Sequence, residues 1–250
     1  MTMTDLVTTT DDGPVRTIRM NRPDKKNALT MAMYDAMAEG IETAPAAGIR
    51  CILIGGAPTV FCAGNDIGDF LQAAMGGGLG APILRFLYAL ARGETPLVAA
   101  VQGNAVGVGT TMLMHCDHVV ASTDARFSTP FVSLGLVPEA ASSLIAPRLM
   151  GHARAFSLLV MGKPLTAEGA KAAGFVNAIA APDEVEAEAI KAAAEIAALP
   201  PQAVLASRRL MRGAADEIAA RIDAEAVEFK ERLKSAEAQA AFTAFMSRKR

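Results

Sequence analysis

The stretch Leu97–Ser122, "LVAAVQGNAVGVGTTMLMHCDHVVAS", decides the fold. Its first five residues are apolar without a polar break, which suits a strand covered on both faces rather than one wetted on one side. Gly103, Gly107 and Gly109 turn the chain, helix-compatible residues follow, and "HVVAS" reads as another strand. Strand, glycine turn, helix and strand in that order form a crossover unit, so the chain is expected to be α/β with a parallel or mixed sheet.

The same order recurs on either side. "VRTIRMNRP" (Val15–Pro23) alternates imperfectly and predicts a strand with one wet face carrying Arg16 and Arg19. Thr30 is placed to cap a helix in which Met33, Met37 and Ile41 recur at four-residue spacing. "IRCILIGG" (Ile49–Gly56) predicts a buried strand, and Pro82 suits the first turn of a helix whose apolar face is Ile83, Phe86, Leu87 and Leu90. Between them "GGGLG" (Gly76–Gly80) is too permissive for one backbone shape and predicts a mobile loop. From Ala153 onward strand signals nearly vanish, and helical windows follow at 153–161, 166–173, 183–198, 202–213 and 216–248. The last carries Ile218, Ile222, Val227, Phe229, Leu233, Phe242, Phe245 and Met246, so it must cover the core or a neighbouring subunit.

Composition removes several functions. At 250 residues with a 52% apolar share and 20% charged residues, the chain is long enough for one well-packed domain with a helical appendage. A formal net charge of −2, scarce aromatics and short basic clusters argue against nucleic-acid binding. The charge-free window from Thr95 to Cys116 is broken by glycines and polar residues and does not read as a membrane span. Three cysteines without a C-x-x-C pair, and Asp5, Asp11 and Asp12 where a leader would be basic and apolar, fit a cytoplasmic protein.

Two glycine turns follow strands, "FCAGND" (Phe61–Asp66) and "GNAVGVG" (Gly103–Gly109), and such turns let backbone N–H groups converge on one point. The second lacks the third glycine of a dinucleotide fingerprint, and no phosphate-loop or nucleophile-elbow pattern occurs. Ser142 and Ser143 therefore read as helix-face residues. His115, Cys116, Asp117 and His118 are ligand types, but consecutive side chains point apart, so no metal site is expected.

One acid stands apart. "FVSLGLVPEAASSLIAPRLMG" (Phe131–Gly151) is apolar or small almost throughout and contains Glu139. Either that residue starts a helix and faces water, or it is buried and its pKa rises toward the range useful for moving protons. A carboxyl group with a pocket of backbone donors suits removal of a proton alpha to a carbonyl: the base takes the proton and the donors hold the enolate oxygen.

At this point the sequence resembles the crotonase (enoyl-CoA hydratase/isomerase) superfamily, through "MNRPDKKNALT", "FCAGNDI", "AVQGNAVGVGTTMLMHCD", "ARFSTPFVSLGLVPEAASS" and "GKPLTAEGAKAAGFVN" in family order. The resemblance implies a spiral of strand-strand-helix units over 1–195 with an acyl-CoA site, and a C-terminal helical region over 196–250 for trimerisation and active-site cover. It implies acyl-CoA thioester substrates, no cofactor beyond the coenzyme A of the substrate itself, no metal, and a homotrimer or dimer of trimers. Carried over by position, the oxyanion donors are the backbone N–H groups of Asn65 and Val108, where Val108 stands for the family's common glycine. Ala63, Gly64, Asp66, Ile67 and Gly107 match loops that border the ligand, with Lys25 and Ala28 as coenzyme A contacts.

The departures point to the reaction. Typical family hydratases handle water with two glutamates, and those positions here are Thr111 and Phe131, neither of which accepts a proton from water. Glu139 instead lies where the peroxisomal-type Δ3,Δ2-enoyl-CoA isomerases, which the chain resembles most, carry a single catalytic glutamate. The resemblance thus implies a 3-enoyl-CoA to trans-2-enoyl-CoA isomerase. A hydratase or other crotonase-type lyase, and a non-catalytic acyl-CoA-binding subunit, are the alternatives.

Overall fold

In the computed structural model the described residues are 6–57, 59–69 and 79–247, with side chains for all of these except Phe245 and Met246. Among them one sheet has six strands: β1 (Val7–Asp12), β2 (Val15–Met20), β3 (Cys51–Gly55), β4 (Leu97–Val101), β6 (His118–Ser122) and β9 (Ala178–Ala180), side by side in that order. β1 and β2 form an antiparallel hairpin and every later pairing is parallel. A three-stranded sheet of β5 (Asn104–Val106), β7 (Arg126–Ser128) and β8 (Leu165–Thr166) lies alongside.

The continuous apolar runs of β3 and β4 are buried on both faces, as parallel strands with helices on each side require. Cys51, Leu53, Val98 and Ala100 face helix Val185–Ala198, which meets them with Val185, Ala189, Ala193 and Ala197, a ridge at four-residue spacing. Ile52, Ile54, Leu97, Ala99 and Val101 face the opposite way into the main core. Helix Met31–Glu42 is capped by Thr30, whose hydroxyl accepts from the Met33 N–H at 3.3 Å. Helix Ala81–Arg92 buries Ile83, Phe86, Leu87 and Leu90, the face expected of it.

Four expectations are corrected. Arg16 does not face water: it shares the buried side of β2 with Ile18 and Met20. Its guanidinium clasps the Asp11 carboxylate across the hairpin at 2.7 and 2.8 Å and donates to Gly40 O and Thr43 Oγ1 at the end of helix Met31–Glu42. A buried charge is tolerated because every side of it is paired. The chain after Ala153 contains β8 and β9, strands too short to show a period of their own, which take their identity from the edges they complete. Within the glycine-rich turn after β4, Asn104–Val106 is a strand rather than an irregular part of the turn. The last window divides into helices Ala215–Leu233 and Ala236–Ser247. Of the glycine-rich stretch, Gly76–Gly78 lie outside the described residues, Leu79 is buried and Gly80 caps helix Ala81–Arg92 at φ 86°.

The terminal helices cover the core from one side. Ile218, Ile222 and Phe229 are buried on the first of them, while Val227 is 64% exposed. The second passes so close to Gly135 that a Cβ there would stand 2.6 Å from the Ala238 nitrogen. That approach lets Phe242 and Phe229 reach the site described next. No described helix is long and apolar enough to cross a membrane.

Candidate active site

The two glycine turns are brought together by a fragment of parallel pairing. The Cys62 N–H donates to Asn104 O at 3.1 Å and the Val106 N–H to Cys62 O at 2.9 Å, so Cys62 and Ala105 are partners across a bridge. Asn65 and Val108 each lie three residues beyond that pair, and the parallel register carries them forward together. Gly109 is what permits it: a Cβ at that position would come within 2.8 Å of Cys62 Cβ and 2.9 Å of Cys62 O. Gly64, at φ 88°, turns the first loop where a side chain would meet Val106 O at 2.9 Å.

Neither the Asn65 N–H nor the Val108 N–H has a protein acceptor among the described residues, whereas the N–H groups of Thr110 and Thr111, further along the second turn, both return to Gly107 O. Both residues line a cleft of about 140 Å³, with Ala63, Gly64, Ile67, Gly107, Phe131, Leu136 and, from the terminal helices, Phe229 and Phe242. Unspent donors in a mostly apolar cleft suit an oxygen that gains negative charge. The Val108 side chain is 1% exposed and packs into the core.

Glu139 is buried, at 3% exposure, and its Oε1 accepts from Thr111 Oγ1 at 2.5 Å. Burial pushes its carboxyl up to about 8; the Thr111 hydroxyl works against this and the Glu225 carboxylate adds to it. Thr111 ends the helical turn that starts at Val108, so the acid is tied to the donor turn by one hydrogen bond. The carboxyl is directed at Thr111, and Glu139 is not itself among the residues lining the cleft; Leu136, three residues earlier, is.

Of the other residues expected at the site, Phe131 lies against Gly107, 4.0 Å from where a Cβ there would be. Asp66 turns away from the cleft: its Oδ2 pairs with Arg22 Nη1 at 2.7 Å, and its Oδ1 accepts from the Gly68 and Asp69 N–H groups. Burial raises the Asp66 carboxyl, but the Arg22 guanidinium and those N–H groups outweigh it and hold it below the usual carboxylate range. Ala28 is half-buried beside it, its carbonyl accepting from Arg22 at 2.9 Å, and Lys25 is exposed at the end of the turn Pro23–Lys25. Lys25, Ala28, Asp66 and Thr111 are not among the residues lining the cleft.

Two residues, Tyr34 and Glu225, were missed, and His115 takes a part that its place in the sequence does not show. Tyr34, fully buried on helix Met31–Glu42, donates to Asn65 Oδ1 at 2.5 Å, and its phenol is held un-ionised by burial and by the nearby Glu139 carboxylate. Its one signal in the sequence is a hydroxyl next to the apolar stripe of Met33, Met37 and Ile41. His115 is no ligand: its Nε2 donates to Ala140 O at 2.7 Å, and burial pulls its pKa down to about 4, leaving the ring neutral. Glu225, on helix Ala215–Leu233, reaches the backbone just past Glu139. Among the described residues no group of three metal-ligating side chains occurs.

The enoyl-CoA hydratase/isomerase family model matches residues 10–250. The chain belongs to this family, and its spiral of paired sheets is the crotonase fold. It is 38% identical over 208 residues to rat enoyl-CoA delta isomerase 2, covering 81% of this chain and 53% of that protein. It is 33% identical over 204 residues to a probable enoyl-CoA hydratase of Rhizobium meliloti (strain 1021), covering 80% and 79%. The chain thus spans about half the length of the delta isomerases of rat and human. Among solved structures, Pseudomonas aeruginosa OdaA superposes with a TM-score of 0.92 at 43% identity, over 97% of this chain and 99% of that one.

Proposed function

We propose that this enzyme moves the double bond of a 3-enoyl-CoA thioester to the 2 position, with Glu139 as the single proton carrier. Enoyl-CoA hydratase/isomerase chemistry is the family's, and the choice of isomerisation rests on one observation. Among the described residues Glu139 is the acid hydrogen-bonded to the turn that carries Val108, while Thr111 and Phe131, which the resemblance matches to the two acids of a hydratase, supply no carboxylate.

Glu139 leaves Thr111 and takes the proton from C2. The electrons of that C–H bond enter a dienolate whose charge rests on the thioester oxygen, held by the Asn65 and Val108 N–H groups. The same carboxylic acid then returns a proton to C4; the oxygen charge collapses to the carbonyl and the new double bond lies between C2 and C3. Atoms and charge balance within the substrate, so no further cofactor enters the step. A base with a pKa near 8 is matched to such a transfer close to neutral pH. Cys62, beneath the first turn, is no competing nucleophile: burial pushes its thiol up to about 12.

The test is parallel incubation with 3-enoyl and 2-enoyl thioesters, read by absorbance of the conjugated product and by mass. Isomerisation without gain of water is expected, and Glu139→Gln is expected to lose about 10²- to 10⁴-fold in kcat. Hydration of the 2-enoyl thioester at a comparable rate, or full isomerase activity in that variant, would overturn the reading.

A further inference from the structure

Among the described residues two carboxyl groups are buried, Glu139 and Glu225, and the reaction uses only the first. Glu225 belongs to helix Ala215–Leu233, far from Glu139 in the chain, yet both of its oxygens are spent on the segment that follows Glu139. Oε2 accepts from the Ala141 N–H at 2.6 Å; Oε1 accepts from the Ser143 N–H at 3.0 Å and the Ser143 hydroxyl at 2.5 Å. Three donors converging on it suit a carboxylate that only accepts.

What it holds is an unusual piece of backbone. Ala140 and Ala141 are consecutive non-glycine residues in the left-handed region, at φ 61° and 55°, and both are buried. Alanine has nothing to gain there from a side-chain hydrogen bond, so the conformation must be imposed from outside. Ala141 is also the N-cap of helix Ser142–Met150 and offers no capping side chain. Glu225 supplies that function from another helix, while His115 grips the Ala140 carbonyl from the opposite side.

We propose that Glu225 is a positioning residue for Glu139: by clamping the left-handed Ala140–Ala141 pair from helix Ala215–Leu233, it fixes where the Glu139 carboxyl sits against Thr111. The inference deepens the reading of Glu139 as proton carrier and rests on it. The charged and titratable groups around the clamp are Arg221, which donates to Ser143 Oγ at 3.3 Å, and Glu228 on the same helix. Glu139 and the neutral His115 face it from the other elements, and Arg148 pairs with Glu217 further along. The Glu225 charge therefore also bears on Glu139, raising its pKa.

Glu225→Gln preserves shape but sets an amide N–H₂ against a backbone donor. It is expected to lower kcat on a 3-enoyl thioester about tenfold or more with KM within about twofold, since displacement of a reacting group by even 1 Å is costly. In ¹³C-carboxyl spectra the Glu139 midpoint is expected to rise, because the Thr111 hydrogen bond that a displaced carboxyl gives up lowers it by more than the Glu225 carboxylate raises it. Ala141→Gly relaxes the left-handed backbone; in that background the Glu225→Gln loss in kcat is expected to shrink below about threefold. The double variant also replaces Glu225→Gln alone should the single variant fail to fold. Unchanged kcat in Glu225→Gln, a Glu139 midpoint there that stays in place or falls, or an undiminished loss in the glycine background, would overturn the proposal. The midpoint needs no substrate, so absence of isomerase activity in the unaltered enzyme would defeat the functional reading while the carboxyl titration still decides the clamp.

Discussion

At Asn65 and Val108 the site is made of backbone, and at Glu139 it is made of side chains. The donor side is positioned by two parallel bridges, Cys62 with Ala105 and Leu29 with Asn65, and by glycines at 64 and 109 that leave no room for a Cβ. Side-chain identity matters little there, which is why valine at 108 leaves the N–H in place. The acid side depends on partners gathered from two distant parts of the chain: Thr111 on the carboxyl and His115 on the next carbonyl from one, and Glu225 on the N–H groups beyond from the other. The donor side is set by backbone pairing and the acid side by side-chain contacts, so the two should fail in different ways.

The sharpest way to break the donor side alone is Gly109→Ala. The new methyl group meets Cys62 Cβ at 2.8 Å and the Cys62 carbonyl at 2.9 Å, and backbone cannot step aside cheaply. The two turns must part, which misplaces one N–H relative to the other. Loss of one oxyanion donor typically costs about 10²- to 10³-fold in kcat. That loss is expected on the 3-enoyl substrate while the Glu139 carboxyl titrates where it did before; a shift of that midpoint would show that the two sides are not separable.

The acid side is tested by pH. With the folded carboxyl raised to about 8 and an ordinary value in the unfolded chain, the native state holds a proton between pH ~4.5 and 8 that the unfolded state has released. Stability therefore falls as pH rises through that window, by at most about 1.4 kcal/mol per pH unit from this group, and levels off above it. Glu139→Gln removes the dependence. The stability of the variant minus that of the unaltered protein is expected to grow from pH 5 to pH 8 in urea titrations and then to flatten. His115, lowered to about 4, titrates in both proteins and cancels in the difference. For activity the sign is opposite: kcat/KM should rise as Glu139 ionises, with a midpoint near 8.

The same division explains what the sequence disclosed. Strands β3 and β4 were legible because five consecutive buried residues leave an unbroken apolar run, and the two donor turns because glycine marks a required backbone shape. Arg16 was misplaced because its partners, Asp11, Gly40 and Thr43, are assembled only by the hairpin and the helix packed on it. Strand β9 was missed because Ala178–Ala180 is too short to carry a pattern; its identity comes from lying beside Val120 and Ser122. Glu139 was legible as an oddity, an acid in apolar company, but neither the left-handed alanines after it nor Glu225 could be seen: alanine carries no mark of φ, and nothing near residue 225 names a partner more than 80 residues away.

Tyr34 joins the two sides and gives the smallest expected effect. Its hydroxyl donates to the Asn65 side chain, while its ring is buried in the same neighbourhood as the Glu139 carboxylate. Tyr34→Phe keeps the ring packing against Phe86 and removes only the hydroxyl. A neutral hydrogen bond contributes about 0.5–1.5 kcal/mol. If the bond serves to hold the first turn, that amount should appear as a roughly three- to tenfold fall in kcat, with the pH midpoint of kcat/KM lowered only slightly. If it serves the acid instead, the midpoint should move by more than the rate does. The ratio of those two changes in one variant tells whether backbone and side-chain halves of the site are coupled through this phenol.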